Sequence, residues 1–303
     1  MADQKICKVC GNKAKFVYSR GNGSEELRIL EVFLCRRCGL LFVGNPIPDG
    51  ELNQAYERMD SPKHYAEIAE TTYLKASNAL DDLNAFLSKG TEDISLLDVG
   101  CGYGHLLDSV AKTYPAVKIF GHELPGDCAS ACQEKGFHIF TCSLEDIHHK
   151  FSIVTLLDVA EHVPRPGHVF SACRGMLKDG GIIYLHTPRR CIWDTLFLRL
   201  VRIPGLNRLA KVWLDPRISI YHLQLWTDRA LRLALENAGF ELLYLRSTTE
   251  LSWPLERYTN IFLGEKCHLP KSLLWLATRL IDILFVRLGT LRNKAICLAR
   301  KSN

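Results

Sequence analysis

The sequence predicts an α/β protein in which a doubly wound parallel sheet follows a small metal-binding ribbon. Apolar segments of strand type alternate with helical segments between residues 94 and 247, and this alternation is typical of a parallel sheet covered by helices. Ahead of them stand two CxxC pairs, with 24 residues between Cys10 and Cys35. The chain has 303 residues, 47% of them hydrophobic, which suits one large domain with a small additional module.

The N-terminal module is predicted to be a zinc ribbon. Its two CxxCG segments can each form a tight knuckle, because the glycine accepts the positive φ that such a turn needs. Four thiolates satisfy tetrahedral Zn²⁺ and leave no open position for water, which predicts a structural metal. The metal ligands are Cys7, Cys10, Cys35 and Cys38. A hairpin is predicted between the two knuckles, with strands Phe16–Arg20 and Leu27–Leu34 on either side of a GNG turn.

The chain is predicted to divide into three parts, of which the ribbon is the first. The ribbon spans residues 1–45, a linker with N-terminal helices spans 46–90, and the main domain spans 91–303 with amphipathic insertions near 189–220 and 250–292. Tyr56 and Tyr65 lie in the linker, just before a helix predicted over Ala66–Leu87.

The first strand of the main domain leads into a glycine loop. Ile94–Val99 runs into Gly100-Cys101-Gly102-Tyr103-Gly104, and a helix begins at His105. Such a loop lets a ligand approach the backbone, and the helix N-terminus favours a negative group. Glu123, just past the second strand, suits the hydroxyls of a ribose. The other predicted elements are strands Val117–Gly121, Phe137–Cys142, Phe151–Leu157, 182–188 and 241–246, and a helix Thr227–Ala238.

Five segments, in this order, resemble class I S-adenosylmethionine-dependent methyltransferases of the branch with an EHV segment after the fourth strand. They are LLDVGCGYGH, GHELPG, LLDVAEHVPRPGHVF, LKDGGIIYLHTP and WTDRALRLALENAGFELL. The resemblance covers roughly Ile94–Ser247 and implies a Rossmann-like sheet of seven strands. The CxxC pairs and the tyrosine-bearing linker are also similar to the N-terminal part of zinc-containing sugar C-methyltransferases, whose extra C-terminal domain this chain is too short to carry.

The resemblance implies S-adenosylmethionine as the cofactor and nine contact residues. Asp98, Gly100 and Gly102 would contact its methionine end, Glu123 its ribose, Ser143, Leu144 and Glu145 its adenine, and Leu157 and Asp158 the methionine side. Ser152 stands where the family usually has Asp, and we interpret this position as structural. The competing interpretations are ordinary turn glycines at 100 and 102, a solvated helix-cap acid at Glu123, and a partly solvent-facing Glu145.

Two histidines are candidate general bases. Methyl transfer is a direct displacement that often requires removal of a proton from the acceptor, and histidine suits this task because its pKa lies near neutrality. His162 follows the fourth strand, and His222 precedes the helix at Thr227. His186 ends the fifth strand. For each of them, a structural hydrogen-bonding role is the alternative.

The positive charge is concentrated in the C-terminal third. From Arg189 onward there are 19 Lys and Arg against 9 Asp and Glu. Two segments, Arg190–Leu214 and Leu273–Leu288, interleave these charges with Leu, Trp and Phe, as do helices at a membrane interface. They predict either a rim for an amphipathic acceptor or peripheral contact with an anionic membrane. The alternatives are core-facing helices and a solvated basic face.

The sequence also bears on location and on partners. No apolar segment follows Met1 as in a signal peptide, and no apolar run is long enough to span a membrane. Eight scattered cysteines suit a reducing compartment. We therefore expect a cytoplasmic protein, and the membrane interpretation of the two basic segments would place it at the inner face of the membrane. The few basic residues of the ribbon argue against a nucleic-acid partner.

Methyl transfer to a small molecule, such as a sugar or a lipid-linked glycan precursor, is the predicted function. A zinc-ribbon adaptor with a non-catalytic methyltransferase-like domain is one alternative. An NAD-dependent oxidoreductase is another, although the glycine spacing is GxGxG rather than GxGxxG.

Overall fold

The chain folds into two compact units in a computed structural model. The structure describes residues 4–21, 29–59, 62–88, 93–251 and 271–302. The first unit comprises Met1–Pro46, Pro188–Ala230 and Arg246–Ala295, and the second comprises Ile47–Thr187, Leu231–Leu245 and Ile296–Asn303. The first unit therefore combines the N-terminal ribbon with two segments from the C-terminal third. The predicted domain boundaries remain a prediction.

The strands and helices are numbered in chain order. The strands are β1 (Gln4–Ile6), β2 (Lys13–Arg20), β3 (Leu30–Cys35), β4 (Leu41–Val43), β5 (Ser95–Val99), β6 (Lys118–His122), β7 (His138–Phe140), β8 (Phe151–Leu157), β9 (Leu177–Pro188), β10 (Gln224–Leu225), β11 (Phe240–Thr248) and β12 (Lys294–Lys301). The helices are α1 (Asp49–Met59), α2 (Pro62–Leu87), α3 (His105–Thr113), α4 (Asp127–Glu134), α5 (Pro166–Met176), α6 (Ile192–Leu200), α7 (Asn207–Leu214), α8 (Asp228–Asn237) and α9 (Lys271–Asp282). A 3₁₀ turn spans Leu144–Asp146, and a π-helical turn spans Ile283–Arg287.

The first unit contains a five-stranded sheet in the order β1-β2-β3-β4-β10. Each pair in it is antiparallel, and β2 and β3 provide the two predicted hairpin strands. The GNG turn between them lies outside the described residues. Leu41 pairs with Leu225, so the last strand of this sheet comes from a distant part of the sequence.

The second unit contains the predicted seven-stranded α/β sheet, in the order β11-β12-β9-β8-β5-β6-β7. The pairs β5–β6, β6–β7, β5–β8 and β8–β9 are parallel, which confirms the predicted fold class. Ser152 lies at the start of β8, where its hydroxyl accepts a bond from the Ser95 N–H at 3.2 Å. The Ser152 N–H lies 3.3 Å from the Ser95 hydroxyl in return, so this serine links two strands.

Helix α2 buries one face in the core of the second unit. Ala76, Ala79, Leu83 and Leu87 belong to one buried cluster with Leu96 of β5. The helix begins at Pro62, earlier than predicted, because proline suits the first helical position. Tyr65 therefore lies within this helix, and Tyr56 lies in α1.

The inserted helices of the first unit pack through a polar network as well as through apolar side chains. Phe197 of α6 stacks on Trp213 of α7 at 5.4 Å between ring centroids. The buried Asp194 carboxylate accepts bonds from Trp213 Nε1 at 2.8 Å and from Arg217 Nε at 2.6 Å. Four leucines of the second amphipathic segment are 40–64% exposed, so the interpretation of this segment as a core-facing helix is wrong for them. They are Leu276, Leu280, Leu284 and Leu288.

Part of that predicted second insertion, residues 252–270, lies outside the described residues. Within the described ranges, no helix has both the length and the apolar character needed to cross a membrane.

Candidate functional site

The glycine loop between β5 and α3 turns the chain through the left-handed region. Gly100, Gly102 and Gly104 have φ values of +70°, +52° and +78°. A Cβ atom at Gly100 would lie 2.7 Å from Val159 Cγ2, so both the conformation and the space require glycine there. The loop consequently presents backbone, rather than side chains, ahead of α3. This is the surface that a polar cofactor group needs for close approach.

Glu123 connects the end of β6 to this loop. Its Oε2 accepts the Gly102 N–H at 2.8 Å, and its Oε1 accepts the Leu124 N–H at 2.8 Å. The side chain is half-buried. A carboxylate oxygen can accept more than one hydrogen bond. The arrangement fits a diol such as ribose beside the glycine loop.

Asp98 lies under the same loop, near the carboxyl end of β5. Its side chain is buried, and its Oδ1 accepts a bond from the Thr155 hydroxyl at 2.6 Å. Burial raises the pKa of Asp98 to about 7, and the negative charge of Glu123 acts in the same direction. Two carboxyl groups therefore share this edge of the sheet, and a cationic group bound there would stabilise their charged forms.

Asp158 follows β8 in a strained conformation. Its φ is +54°, which is uncommon for a residue other than glycine. Its N–H donates to the His186 carbonyl at 2.8 Å. Its carboxylate contacts Lys75 Nζ at 2.5 Å and His186 Nδ1 at 2.9 Å. Lys75 was missed by the sequence reasoning, because its helix is remote in sequence and carries no motif.

His186 is held by a contact with Asp158. Its side chain is only 5% exposed and is bonded to Asp158. This contact supports the structural alternative for His186, and its role stays a prediction. The bond holds the Asp158 side chain. Leu157, the other residue expected on the methionine side of the cofactor, is half-buried at the end of β8.

His162 lies in the turn between β8 and α5, beside a buried acid. His162 Nε2 is 3.8 Å from Glu161 Oε1. Glu161 is fully buried, and its Oε2 accepts the Thr187 hydroxyl at 2.8 Å. The Tyr56 hydroxyl donates to the His162 carbonyl at 2.8 Å, and burial raises the pKa of Tyr56, with the Glu161 charge acting in the same direction. The backbone of the candidate base is thus held by α1.

The other candidate base, His222, belongs to the first unit. Its N–H donates to the Ser219 hydroxyl at 3.1 Å, and its carbonyl accepts the Ser219 N–H at 3.0 Å. His162 belongs to the second unit. The assignment of either residue as a base stays a prediction.

The residues predicted to surround adenine form the turn after β7. Ser143 precedes the 3₁₀ turn, and its hydroxyl donates to Asp146 Oδ2 at 2.6 Å. Ser143 and Glu145 are exposed, and Leu144 is half-buried. A cavity of about 760 Å³ is lined by Leu144, Glu145 and residues of α5, but by no residue of the glycine loop. This cavity is therefore distinct from the edge that carries Gly100, Gly102 and Glu123.

The four N-terminal cysteines come together in the first unit. Their Sγ atoms all lie within 4.8 Å of one another, with Cys7 3.5 Å from Cys38 and Cys10 3.4 Å from Cys35. A tetrahedral zinc with Zn–S bonds of about 2.3 Å places its sulfur atoms about 3.8 Å apart. The cluster fits that ion, and it fits a small zinc ribbon.

The two knuckles share one hydrogen-bond pattern. Cys7 N–H donates to the Asn12 carbonyl at 2.8 Å, and Cys35 N–H donates to the Leu40 carbonyl at 2.9 Å. Gly11 and Gly39 have φ values of +67° and +80°, so both glycines adopt the predicted positive φ. Sequence and geometry agree here because each knuckle is a local structure.

The second knuckle is also held by side chains from the inserted segment. Arg190 Nη1 donates to the Gly39 carbonyl at 2.6 Å, and the Thr227 hydroxyl donates to the Cys38 carbonyl at 2.5 Å. A Cβ atom at Gly39 would lie 2.8 Å from Thr227 Cγ2. The inserted segment therefore packs directly against the cysteine cluster within this unit.

The comparison with known families decides the family of the chain. Residues 65–245 match the model of a methyltransferase domain family, and this span is more than half of the chain. The chain belongs to the methyltransferase domain family. Its seven-stranded sheet is the class I methyltransferase fold, and the glycine loop, Glu123 and Asp158 all lie within the matched span.

Curated relatives of this methyltransferase-family chain include ubiquinone biosynthesis O-methyltransferases. The mitochondrial protein of Saccharomyces cerevisiae is 32% identical over 119 residues, which are 35% of this chain and 38% of that protein. The protein of Pasteurella multocida is 27% identical over 60% of this chain and 81% of its own length. The chain spans only 38–56% of the length of the yeast protein and three further relatives of the same name.

A solved structure supports the fold. Magnesium protoporphyrin IX methyltransferase from Synechocystis PCC 6803, solved with bound S-adenosylhomocysteine, aligns with a TM-score of 0.53. The alignment covers 82% of this chain and all of that chain at 12% identity. At this identity the likeness concerns the fold alone.

Proposed function

We propose that the protein transfers a methyl group from S-adenosylmethionine to a small-molecule acceptor. The observation that carries the proposal is the bond between Glu123 Oε2 and the Gly102 N–H, because it puts a diol-binding carboxylate directly beside the glycine loop. The family match over residues 65–245 supports the same assignment. S-adenosylmethionine, when bound, supplies a methyl group on a sulfonium centre.

The chain's own residues would bind and orient the reactants. Glu123 would accept the ribose hydroxyls, Asp98 and the loop backbone would hold the amino-acid end, and Ser143, Leu144 and Glu145 would frame adenine. Leu157 and Asp158 would line the methionine side. In the transfer, the acceptor atom bonds to the methyl carbon, the carbon–sulfur bond breaks with its electron pair left on sulfur, and the acceptor loses a proton. Alignment of the three reacting atoms is the main contribution of the protein.

His162 is our candidate for the residue that takes that proton. It lies beside the buried Glu161 carboxylate, which would stabilise the imidazolium once it forms. His162→Gln should lower kcat by about 10²–10⁴, the usual contribution of a general base. A His222→Gln variant with the larger effect would transfer the role to His222.

The acceptor atom is proposed to be a hydroxyl oxygen. The named O-methyltransferase relatives favour oxygen. A sugar or a lipid-linked glycan precursor, the acceptor class expected from the ribbon's resemblance, also offers hydroxyl groups. Carbon methylation of such a sugar is the competing outcome.

One experiment tests the whole proposal. Purified protein is incubated with cell extract and methyl-labelled S-adenosylmethionine, and untargeted mass spectrometry searches for a labelled product. Fragmentation then shows whether the label is on oxygen or on carbon. Absence of product together with absence of cofactor binding in calorimetry would favour the adaptor alternative. Binding of NAD in place of S-adenosylmethionine would favour the oxidoreductase alternative.

We also propose that the four cysteines bind one structural Zn²⁺. Their sulfur separations support this. A metal assay should find about one zinc per chain in protein prepared without chelator. The absence of metal in such a preparation would overturn this proposal.

Peripheral contact with the inner face of an anionic membrane is a further proposal for a cytoplasmic protein. Exposed apolar side chains of α6 and α7 support it, since large exposed apolar patches often mark interaction surfaces. They are Ile192, Leu196, Leu209 and Val212, with Ile203 and Leu206 between the two helices. The exposed Arg208 lies among them.

Sedimentation with anionic vesicles at low salt tests this contact. Leu206→Ser/Leu209→Ser should reduce the bound fraction, and added salt should reduce it as well. Exposed Glu134 in α4 offers a control, because Glu134→Ala changes neither helix. If the wild-type protein stays in the supernatant, the segments are better interpreted as a lid over a soluble acceptor.

A further inference from the structure

The first unit contains a basic cavity of about 470 Å³. Cavities of a few hundred cubic ångströms are the size of small-molecule sites. The cavity is lined by five cationic side chains, and the described lining includes no Asp or Glu. The five are Lys15 of β2, Arg36 after β3, Arg190 before α6, Arg199 of α6 and Arg202 after α6.

These cations differ from Arg189 and Arg217, two other arginines of the first unit. Arg189 is bonded to Asp228 at 2.5 Å, and Arg217 is bonded to Asp194 at 2.6 Å. Within the part of the chain that the structure describes, no carboxylate lies within 4.0 Å of Lys15, Arg36 or Arg199. Five like charges around a concave surface repel one another, and a bound anion would relieve that repulsion.

Arg190 is the fixed member of the set. Its two terminal nitrogens donate to the Gly39 carbonyl at 2.6 Å and to the Thr195 hydroxyl at 3.1 Å. Its Nε is buried and has no hydrogen-bond partner among the described residues. Burial lowers the pKa of Arg190, and the negative charge of Asp194 acts in the opposite direction. The guanidinium is therefore rigid and carries one unused donor.

The cavity also has an apolar part. Val17 of β2 and Leu198 of α6 are buried, and Leu34 of β3 completes this surface. Guanidinium groups match the geometry of phosphate oxygens and bind them through paired N–H donors. The apolar surface suits an organic group attached to the phosphate.

We propose that this cavity binds the phosphate or diphosphate group of a small organic molecule. The charge of a diphosphate matches several cations at once, and a single carboxylate would leave most of them uncompensated. The site goes beyond the proposed methyl transfer, because it depends on neither the glycine loop nor the cofactor.

Calorimetric titration of the full chain with pyrophosphate tests the proposal. The wild-type protein should bind about one pyrophosphate, and Arg36→Gln/Arg199→Gln should weaken binding at least tenfold. These two side chains are exposed and make no hydrogen bond in the described structure, so the variant should fold. Arg208→Gln/Arg229→Gln removes the same charge from exposed positions outside the cavity and should bind like wild type.

A second arm separates a soluble ligand from a lipid headgroup. Vesicles of phosphatidylcholine with phosphatidic acid are sedimented with the protein, with and without pyrophosphate. If pyrophosphate releases the wild-type protein from the vesicles, and this release is lost in Arg36→Gln/Arg199→Gln, the site binds a phospholipid headgroup. Pyrophosphate binding without such release assigns it to a soluble ligand. Absence of pyrophosphate binding, or equal weakening in both double variants, would overturn the proposal whether or not the methyltransferase is active.

Discussion

The charged side chains of the two units differ in the partners that they have. In the second unit, the charges at the cofactor edge neutralise each other or are tied to backbone: Asp158 contacts Lys75 and His186, and Glu123 accepts two N–H groups. In the first unit, the cations around the basic cavity have no carboxylate partner in the described residues. The charged groups of the second unit are thus held by partners within the protein, whereas the cavity cations of the first unit lie around one concave surface without a carboxylate partner in the described residues.

The two units also differ in what stabilises them. The second has a large apolar core around α2 and the sheet. The first surrounds a cysteine cluster, and Arg190 and Thr227 attach its inserted segment to that cluster. Metal removal should therefore affect one unit and largely spare the other.

Loss of the metal should give the largest effect. Structural zinc contributes on the order of 10–16 kcal/mol in small zinc-binding peptides, so Cys35→Ser should unfold most of the first unit. Hydrogen exchange should show lost protection in β2, β3 and α6, with β5 and β8 unchanged. Cys142→Ser alters an exposed cysteine outside the cluster and should change neither unit. Equal loss of protection in both units would break the comparison.

The next largest effect concerns Asp98 and pH. The raised pKa of about 7, against about 3.9 in an unfolded chain, means that the folded state binds a proton more tightly. This stabilisation is fully present below pH 4 and is lost as the pH rises through 7. Three pKa units correspond to about 4 kcal/mol. Asp98→Asn should therefore gain up to about that much stability relative to wild type between pH 4 and pH 8.

Urea unfolding of the two proteins at both pH values measures this gain. Asp127→Asn, which changes an exposed carboxyl of α4, should follow wild type at both. A difference between Asp98→Asn and wild type that does not vary with pH would show that the Asp98 carboxyl is not destabilised by burial.

Glu123 should show a smaller but specific effect on the cofactor. Glu123→Ala should weaken S-adenosylmethionine binding by about 1.5–3 kcal/mol, the range for hydrogen bonds to charged groups. The affinity of Glu123→Gln should lie between that of Glu123→Ala and that of wild type, because the amide oxygen can still accept the Gly102 N–H. Calorimetry measures both, with Glu134→Ala of α4 as the exposed control. Unchanged affinity in Glu123→Ala would remove this residue from the cofactor site.

The smallest effect distinguishes the two knuckles within the first unit. Both glycines have positive φ, but a Cβ at Gly39 would lie 2.8 Å from Thr227 Cγ2, whereas nothing lies within 4 Å of one at Gly11. Gly11→Ala should cost about 1–2 kcal/mol for the left-handed conformation alone. Gly39→Ala should cost about 1–3 kcal/mol more, since overpacking adds to it. Equal thermal stabilities of the two variants would contradict the packing of the inserted segment on the second knuckle.

Local features were predictable from the sequence, and contacts between distant segments were not. The knuckles, β5 and the glycine loop each follow from neighbouring residues. Lys75 could not be found, because it reaches Asp158 from a helix 83 residues earlier in the chain. Similarly, β12 was not located individually, since its apolar run has no motif and follows the second insertion.

Strand β9 shows an intermediate case. The predicted strand 182–188 starts after Gly180 and Gly181, whereas β9 begins at Leu177. The pairing with β8 shifts register between Phe151–Leu177 and Ile153–Ile182, so the two glycines belong to an irregular stretch inside the strand. The two glycines indicate a local irregularity of the backbone. Only the pairing of β9 with β8 shows that the strand continues through it.

The pairing of β4 with β10 has a consequence for synthesis of the protein. Leu41 leaves the ribosome long before its partner Leu225, and the largest segment of the second unit, Ile47–Thr187, is made between them. Until then, β4 is an open sheet edge, which is a template for unwanted strand pairing. We expect the nascent ribbon to be the segment most exposed to aggregation, and early metal binding to shorten the time for which its hairpin lacks a fixed structure.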